Sequence, residues 1–192
     1  MARTKGFDPD AAVDAAMELF WANGYAGTTP QQLVDAMGIG RGSLYNAFES
    51  KHALFERALR RYHEANTARL FAILDGPGTA RARLHAALDM VITAARTDER
   101  RRGCLMTNTA VEFADRDEPV SDFVRATFDR QEAAFRAVIE EGRRSGEIPA
   151  DRDAAALATF FLTTTNGIQV LAKVDPDPAR LAALAETAMR AL

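Results

Sequence analysis

A single cysteine, Cys104, is present among 192 residues. No internal disulfide can form, and the chain reads as one suited to a reducing, cytoplasmic compartment. No apolar run approaches the roughly 18 residues that a membrane span needs. The N-terminal Met1-Ala2-Arg3-Thr4-Lys5-Gly6 carries charge but no apolar segment behind it. Neither a membrane partner nor a secretory signal is therefore expected. A large charge of one sign is missing too. The formal net charge is −3, and residues 1–62 hold seven basic side chains against seven acidic ones, so bulk charge does not announce a polyanionic partner. Strand signals are scarce, because β-branched residues are sparse and no alternating segments are joined by Asn-Gly or Asp-Gly. Disorder is excluded by a hydrophobic share of 47% beside a charged share of 27%, the balance of an ordinary globular chain.

What is present reads as helix throughout. Apolar residues recur at three- and four-residue spacing, and alanine is abundant. Asp8-Pro9 is a cap followed by a proline at the first helical position, and Val13, Ala16, Met17 and Phe20 form the apolar stripe of a helix ending at Asn23-Gly24. Thr29-Pro30 opens a second helix by the same logic; Leu33, Val34 and Met37 face inward before Gly38 stops it. A short third helix runs through Ser43, Leu44, Tyr45 and Phe48. Ser50-Lys51 opens a long fourth helix reaching about Leu74. Asp75-Gly76-Pro77-Gly78 is the clearest break in the chain. Helices are then expected near Ala80–Arg96, Leu105–Ala114, Val120–Arg144, Asp153–Val174 and Ala179–Leu192. The predicted fold class is all-α, with about nine helices. Residues 1–51 form an N-terminal unit, 51–74 a connecting helix, and 75–192 a C-terminal helical domain.

Thr28 to Phe48 is a pair of short helices joined by a tight, glycine-bearing turn, the arrangement of a helix-turn-helix. Leu33, Met37, Ile39, Leu44 and Phe48 hold the crossing angle, and Gly38 supplies the small residue of the turn. Arg41, Gly42, Ser43, Tyr45 and Asn46 remain outward on the second helix. Arg bridges guanine and Asn adenine with paired hydrogen bonds, while Tyr and Ser suit phosphates. The acids of this unit concentrate on the first helix, which leaves Arg3, Lys5, Arg41 and Lys51 to converge on a DNA backbone.

The run Thr28-Thr29-Pro30-Gln31-Gln32-Leu33 through Gly38-Ile39-Gly40-Arg41-Gly42-Ser43-Leu44-Tyr45-Asn46-Ala47-Phe48 to Ser50-Lys51 closely resembles the DNA-binding signature of the tetracycline-repressor (TetR) family. So does the upstream Ala15-Ala16-Met17-Glu18-Leu19-Phe20 followed by Gly24-Tyr25. The resemblance implies a transcription regulator that is not an enzyme. It implies DNA contacts by Thr28, Gln31, Arg41, Gly42, Ser43, Tyr45 and Asn46, with Lys51 as a phosphate ligand. Gly40 and Asn46-Ala47 differ from the residues commonly found at those places, so no operator sequence is transferred. The family also implies a homodimer built by the last two helices and a pseudo-palindromic double-stranded operator. On those helices Leu157, Phe160, Phe161 and Thr164, and Leu181, Leu184, Ala185 and Ala188, face either a partner or the chain's own core.

A signal site is expected within the C-terminal domain, where Phe71, Met90, Met106, Phe113, Phe123, Phe128 and Phe135 are candidate pocket or core residues. Arg100-Arg101-Arg102-Gly103-Cys104-Leu105-Met106-Thr107-Asn108, ending at Glu112, resembles a Gly-Cys-Leu…Asn…Glu segment of one branch of the family. Some members with a cysteine there respond to electrophiles or oxidants. A helix start beside three arginines favours the nucleophilic thiolate. Cys104, Met106, Asn108, Phe71, Phe128 and Lys173 are thus the candidate signal residues, for a small-molecule or electrophile effector. Lys173 either folds back toward Cys104 or reaches water. His52 and His63 lie about 16 Å apart along one helix, too far for one ion; no metal and no cofactor are expected. A cytosolic thiol enzyme using Cys104 is one alternative, but the sequence shows no convincing His-Cys or Ser-His-Asp arrangement, no P-loop and no Gly-rich dinucleotide fingerprint. A helical interaction protein without DNA binding is the other alternative.

Overall fold

The computed structural model describes residues 7–113 and 116–192. Arg3, Lys5 and Ala114 lie outside the described residues. Among those described there are nine helices and no strand: α1 (Pro9–Asn23), α2 (Pro30–Met37), α3 (Arg41–Phe48), α4 (Lys51–Leu74), α5 (Ala80–Thr97), α6 (Leu105–Phe113), α7 (Glu118–Ser145), α8 (Ala154–Val174) and α9 (Pro178–Arg190). The starts follow side-chain chemistry. Asp8 accepts from the Asp10 amide ahead of α1. Thr29 and Gln32 form a reciprocal capping box at α2, and Ser50 accepts from the Ala53 amide at α4. Each satisfies amides that a helix leaves unpaired in its first turn.

The α2–α3 turn passes through Gly38 at φ 62°, whose amide bonds back to the carbonyls of Asp35 and Val34. A Cβ at Gly38 would meet nothing within 4 Å. Left-handed backbone is what requires glycine there.

Two buried clusters hold the chain together. One gathers Ala16 and Phe20 of α1, Leu33 of α2, Leu44 and Phe48 of α3, and Leu54 to Tyr62 of α4. It also takes Leu105, Met106 and Phe113 of α6 and Val120 and Val124 of α7. The other gathers Leu70 and Leu74 of α4 with α5, the rest of α7, α8 and α9. Helix α4, about 36 Å long at its 24 residues, spans both. Helix α6 and the head of α7 are therefore packed with the N-terminal unit, although they follow the break at 75–78 in sequence.

Helix α8 is long and apolar enough to cross a membrane by length and composition alone, although Thr163–Asn166 interrupts its apolar run. Phe161, Ile168 and Ala172 on this helix are buried in the core.

Candidate nucleic-acid interface and effector cavity

Helix α3 turns Leu44 and Phe48 fully inward, so its remaining face is turned out. Arg41, Gly42, Ser43 and Asn46 are exposed, and Tyr45 is 37% exposed. A Cβ at Gly42 would meet nothing within 4 Å, leaving room for close approach of another backbone. Gln31 is exposed on the first turn of α2, its amide held 2.8 Å from the Asp35 carboxylate. Lys51 opens α4 with its ammonium 4.1 Å above the Tyr25 ring. Partial burial holds that ammonium below the usual lysine range, opposed by the nearby Glu112 charge. Phosphate is favoured at this place by both the cation and the free amides of a helix start.

Thr28 is a correction. It is 1% exposed, and its hydroxyl donates to the Gly24 carbonyl at 2.7 Å. It closes the α1–α2 turn, and no side-chain atom is left to offer a phosphate.

Between the two clusters lies a cavity of about 450 Å³, walled by α4, α5, α7, α8 and the head of α6. Met90, Met106, Phe128 and Phe135 line it, as does Cys104. The other expected aromatics do not. Phe71 packs on the C-terminal core with the Arg130 guanidinium 4.8 Å above it, Phe113 stacks on Phe55 at 5.1 Å, and Phe123 meets the edge of His63. Helical periodicity put all of these on an apolar face but could not say which neighbour each face met.

The polar groups of the cavity come mostly from α4, α7 and α8. His63 Nδ1 is 3.0 Å from the Thr67 hydroxyl and 3.3 Å from that of Thr127. Thr127 also donates to the Phe123 carbonyl, and its oxygen and that of Thr67 can pair with Nδ1 in either neutral tautomer of the ring. Burial, then the Arg130 charge, holds the His63 pKa below the usual histidine range, so the ring is neutral at pH 7. Gln131 and Gln169 also line the cavity. Arg69 is the one charged side chain among the described lining residues, and it is exposed.

Cys104 sits immediately before α6 and accepts the first helical hydrogen bond, from Asn108, at 2.9 Å. The Tyr62 hydroxyl lies beside its thiol; burial first, then the adjacent thiol, raises the Tyr62 pKa well above the usual value, opposed by the Leu105 amide. Tyr62 thus stays protonated. The arginines do not surround the thiol as free charges. Arg102 pairs with Asp98 at 3.0 Å and with Glu18, and its guanidinium lies 3.7 Å over the Trp21 ring; Arg100 and Arg101 are exposed. Asn108 is a second correction: its side chain donates to the Arg102 carbonyl and accepts from Lys173 at 3.1 Å. It braces the loop before α6 and is absent from the cavity wall. Lys173 does fold back, with its stem against Gly103, beside a small separate pocket of about 60 Å³.

Comparison with known proteins settles the family. Residues 12–58 match the family model described as bacterial regulatory proteins, tetR family, and residues 80–189 match the tetracyclin repressor-like C-terminal domain. The chain belongs to the TetR family. This TetR regulator is 30% identical over 182 residues, 94% of each chain, to the uncharacterized HTH-type transcriptional regulator YezE of Bacillus subtilis. It is 30% identical to the HTH-type transcriptional repressor ComR of Escherichia coli, covering 98% of this chain and 90% of that one. It also superimposes with a TM-score of 0.88, at 36% identity and 98% coverage of both chains, on a cysteine-substituted form of the TetR regulator CifR solved with a 26-bp operator duplex. The family consists of DNA-binding transcription regulators and not of enzymes. Among the described residues no group of three or more His, Cys, Asp or Glu side chains could hold a metal ion.

Sequence reading missed several residues of this TetR regulator. Tyr62, Asn66, Thr67, Gln131 and Gln169 line the cavity, and Trp21 donates to the Gly103 carbonyl from 82 positions away at 2.8 Å. A polar residue within an otherwise apolar helical stripe was the available signal for Thr67. No local signal marked Trp21. Of the expected dimer-facing residues, Phe161, Leu181, Ala185 and Ala188 are buried inside the chain, because α8 and α9 pack against α5 as well as each other. The large apolar residues left exposed on these two helices are Phe160 (41%), Val170 (50%) and Val174 (81%) on α8, and Leu184 on α9.

Proposed function

We propose that this regulator is a homodimeric repressor of a pseudo-palindromic operator, residing in the cytoplasm with the DNA, and released when a small, uncharged, largely apolar effector enters the cavity. On this reading residues 1–51 bind DNA, 51–74 connect, and 75–192 receive the signal and dimerise. Gln31, Arg41, Gly42, Ser43, Tyr45, Asn46 and Lys51 meet the duplex. The observation that carries the reading is the cavity's position: its wall includes Met106 of α6 and His63 of α4, both on helices that also pack with the DNA-binding unit. The exposed Phe160, Val170, Val174 and Leu184 favour a partner copy over water, and two-fold symmetry sets the two recognition helices about 34–36 Å apart along the duplex. Apart from the exposed Arg69 guanidinium at its edge, the wall offers neutral amides and neutral His63, which would not offset the cost of burying an ionised ligand deep within it. To move occupancy from 99% to 1%, the effector needs about 10⁴-fold preference for the released state, or about 5.5 kcal/mol.

Cys104 at the same wall, beside the protonated Tyr62, favours a second reading in which the effector is an electrophile that alkylates the thiol. Selection of bound duplexes from a random pool tests the function. A recovered pseudo-palindrome, bound by a dimer with salt-dependent affinity and released by N-ethylmaleimide in the native chain but not in Cys104→Ser, supports the electrophile form. Release by neutral apolar compounds in both proteins supports the reversible form. Failure to enrich any duplex, or a monomer in solution, overturns the proposal.

A further inference from the structure

We propose that Glu112 couples the cavity to the recognition helix: its carboxylate clasps the α1–α2 turn from the far end of the helix whose near end helps wall the cavity. This inference rests on the effector reading above and assigns its line of communication to one side chain.

The two oxygens of Glu112 accept from the backbone amides of Tyr25 and Ala26, at 2.8 Å and 2.6 Å. Charge-assisted bonds to two successive amides fix position as well as energy. The turn they hold is stiff. Thr28 bonds back to it through both its amide, to the Tyr25 carbonyl, and its hydroxyl, to the Gly24 carbonyl. Gly24 has φ +74°, and a Cβ there would come within 2.9 Å of a Glu112 oxygen. Glycine is needed both for the backbone conformation and for the carboxylate's approach. A turn of this kind passes displacement on to α2, which meets α3 across the helix-turn-helix.

The same turn seats a DNA ligand. The Tyr25 ring lies 5.1 Å from Phe55 and 5.2 Å from Phe113, and Lys51 rests 4.1 Å above it. Moving Glu112 therefore shifts α2, and with it α3, while also moving the platform under the Lys51 ammonium.

At the other end of α6, Cys104 and Met106 touch the cavity. Met106 and Glu112 are six residues apart, about 9 Å of rigid helix. An occupant that displaces Met106 cannot be accommodated inside one hydrogen-bonded rod, so the shift emerges at the Glu112 end. The other bonds between the same regions end elsewhere. Trp21 reaches the loop before α6, Arg102 of that loop pairs with Glu18 of α1, and His52 on α4 meets Asp117 at the head of α7 at 2.6 Å while its ring packs edge-on against Tyr25; none of these bonds the backbone amides of the α1–α2 turn.

Cys104 is the only cysteine, so Ellman's reagent reads the cavity wall without knowledge of the effector. By linkage, a cavity that controls operator binding must itself respond to the operator. The experiment measures the labelling rate of Cys104 with and without the selected duplex, in the native chain, Glu112→Gln, Glu112→Asp and Asp14→Asn. The last breaks the Arg61–Asp14 pair between α1 and α4 and serves as a structural control. The operator is expected to change the native rate by about fivefold or more, the lower end of usual couplings. That factor is expected to fall below about twofold in Glu112→Gln, recover in part in Glu112→Asp, and persist in Asp14→Asn. A native-like factor in Glu112→Gln overturns the role of Glu112 while leaving the effector reading intact. No operator effect in the native chain overturns both. Equal loss in Asp14→Asn overturns the proposal by showing general loosening in place of a specific clasp.

Discussion

Trp21 is the sole tryptophan, and it fastens the loop that precedes Cys104. Its indole N–H donates to the Gly103 carbonyl at 2.8 Å, its ring lies 3.7 Å beneath the Arg102 guanidinium, and its edge meets Tyr62 at 4.9 Å. Trp21→Phe keeps an aromatic ring and removes the donor. A part-buried carbonyl without its partner costs about 1–3 kcal/mol. The weaker ring beneath the guanidinium costs about 0.5–1 kcal/mol, and the missing ring atoms leave a void worth about 1 kcal/mol. The sum is about 2.5–5 kcal/mol, which for a chain of this size lowers Tm by about 5–20 °C. Thermal unfolding followed by circular dichroism measures it, at one fixed protomer concentration because association contributes to apparent stability. Release of Gly103 is also expected to speed Ellman labelling of Cys104 at 25 °C. A Tm within about 2 °C of the native chain, with unchanged labelling, would refute the reasoning, since it would mean that water replaces every interaction named.

On α3, Arg41→Ala is expected to weaken the selected duplex by about 1–3 kcal/mol per half-site and a scrambled duplex far less; equal losses in fluorescence anisotropy would make Arg41 a phosphate ligand. Lys51→Gln should weaken both duplexes alike and reduce the slope of log K against log salt by about one per protomer, and an unchanged slope would remove Lys51 from the interface. His63 is held below its unfolded pKa, so between the two values the unfolded chain binds more protons and stability falls as pH drops below about 6.5. Denaturant melts of His63→Gln should therefore lose less stability than the native chain between pH 7.5 and pH 5.5, and parallel curves would contradict the assigned neutral ring. Phe160→Glu places a charge on the exposed apolar face of α8; sedimentation should show a shift to monomer with loss of operator binding, and a persistent dimer would move the interface elsewhere.

Local chemistry was enough to place every helix within a few residues. Asp8-Pro9, the Thr29–Gln32 capping box, Ser50 and the glycines at 24 and 38 are signals confined to neighbouring positions, and they act through backbone groups a few residues away. The outward face of α3 was legible for the same reason. Leu44 and Phe48 define one side of an eight-residue helix, and Arg41, Ser43, Tyr45 and Asn46 have no other side to occupy.

Tertiary structure decided everything that required knowing which face met which. Thr28 is next to exposed Thr29 in sequence and yet is buried, because the turn folds it onto Gly24. Phe71 and Phe128 look alike as periodic apolar residues, but only Phe128 reaches the cavity. Arg102 reads in sequence as a charge beside Cys104, but Glu18 and Asp98, 84 and 4 residues away, lie against it. Glu112 and Tyr25 are separated by 87 positions. A helical repeat of 3.6 residues specifies a direction around an axis and carries no information about the neighbour lying in that direction, so contacts between remote helices could be read only from the folded chain.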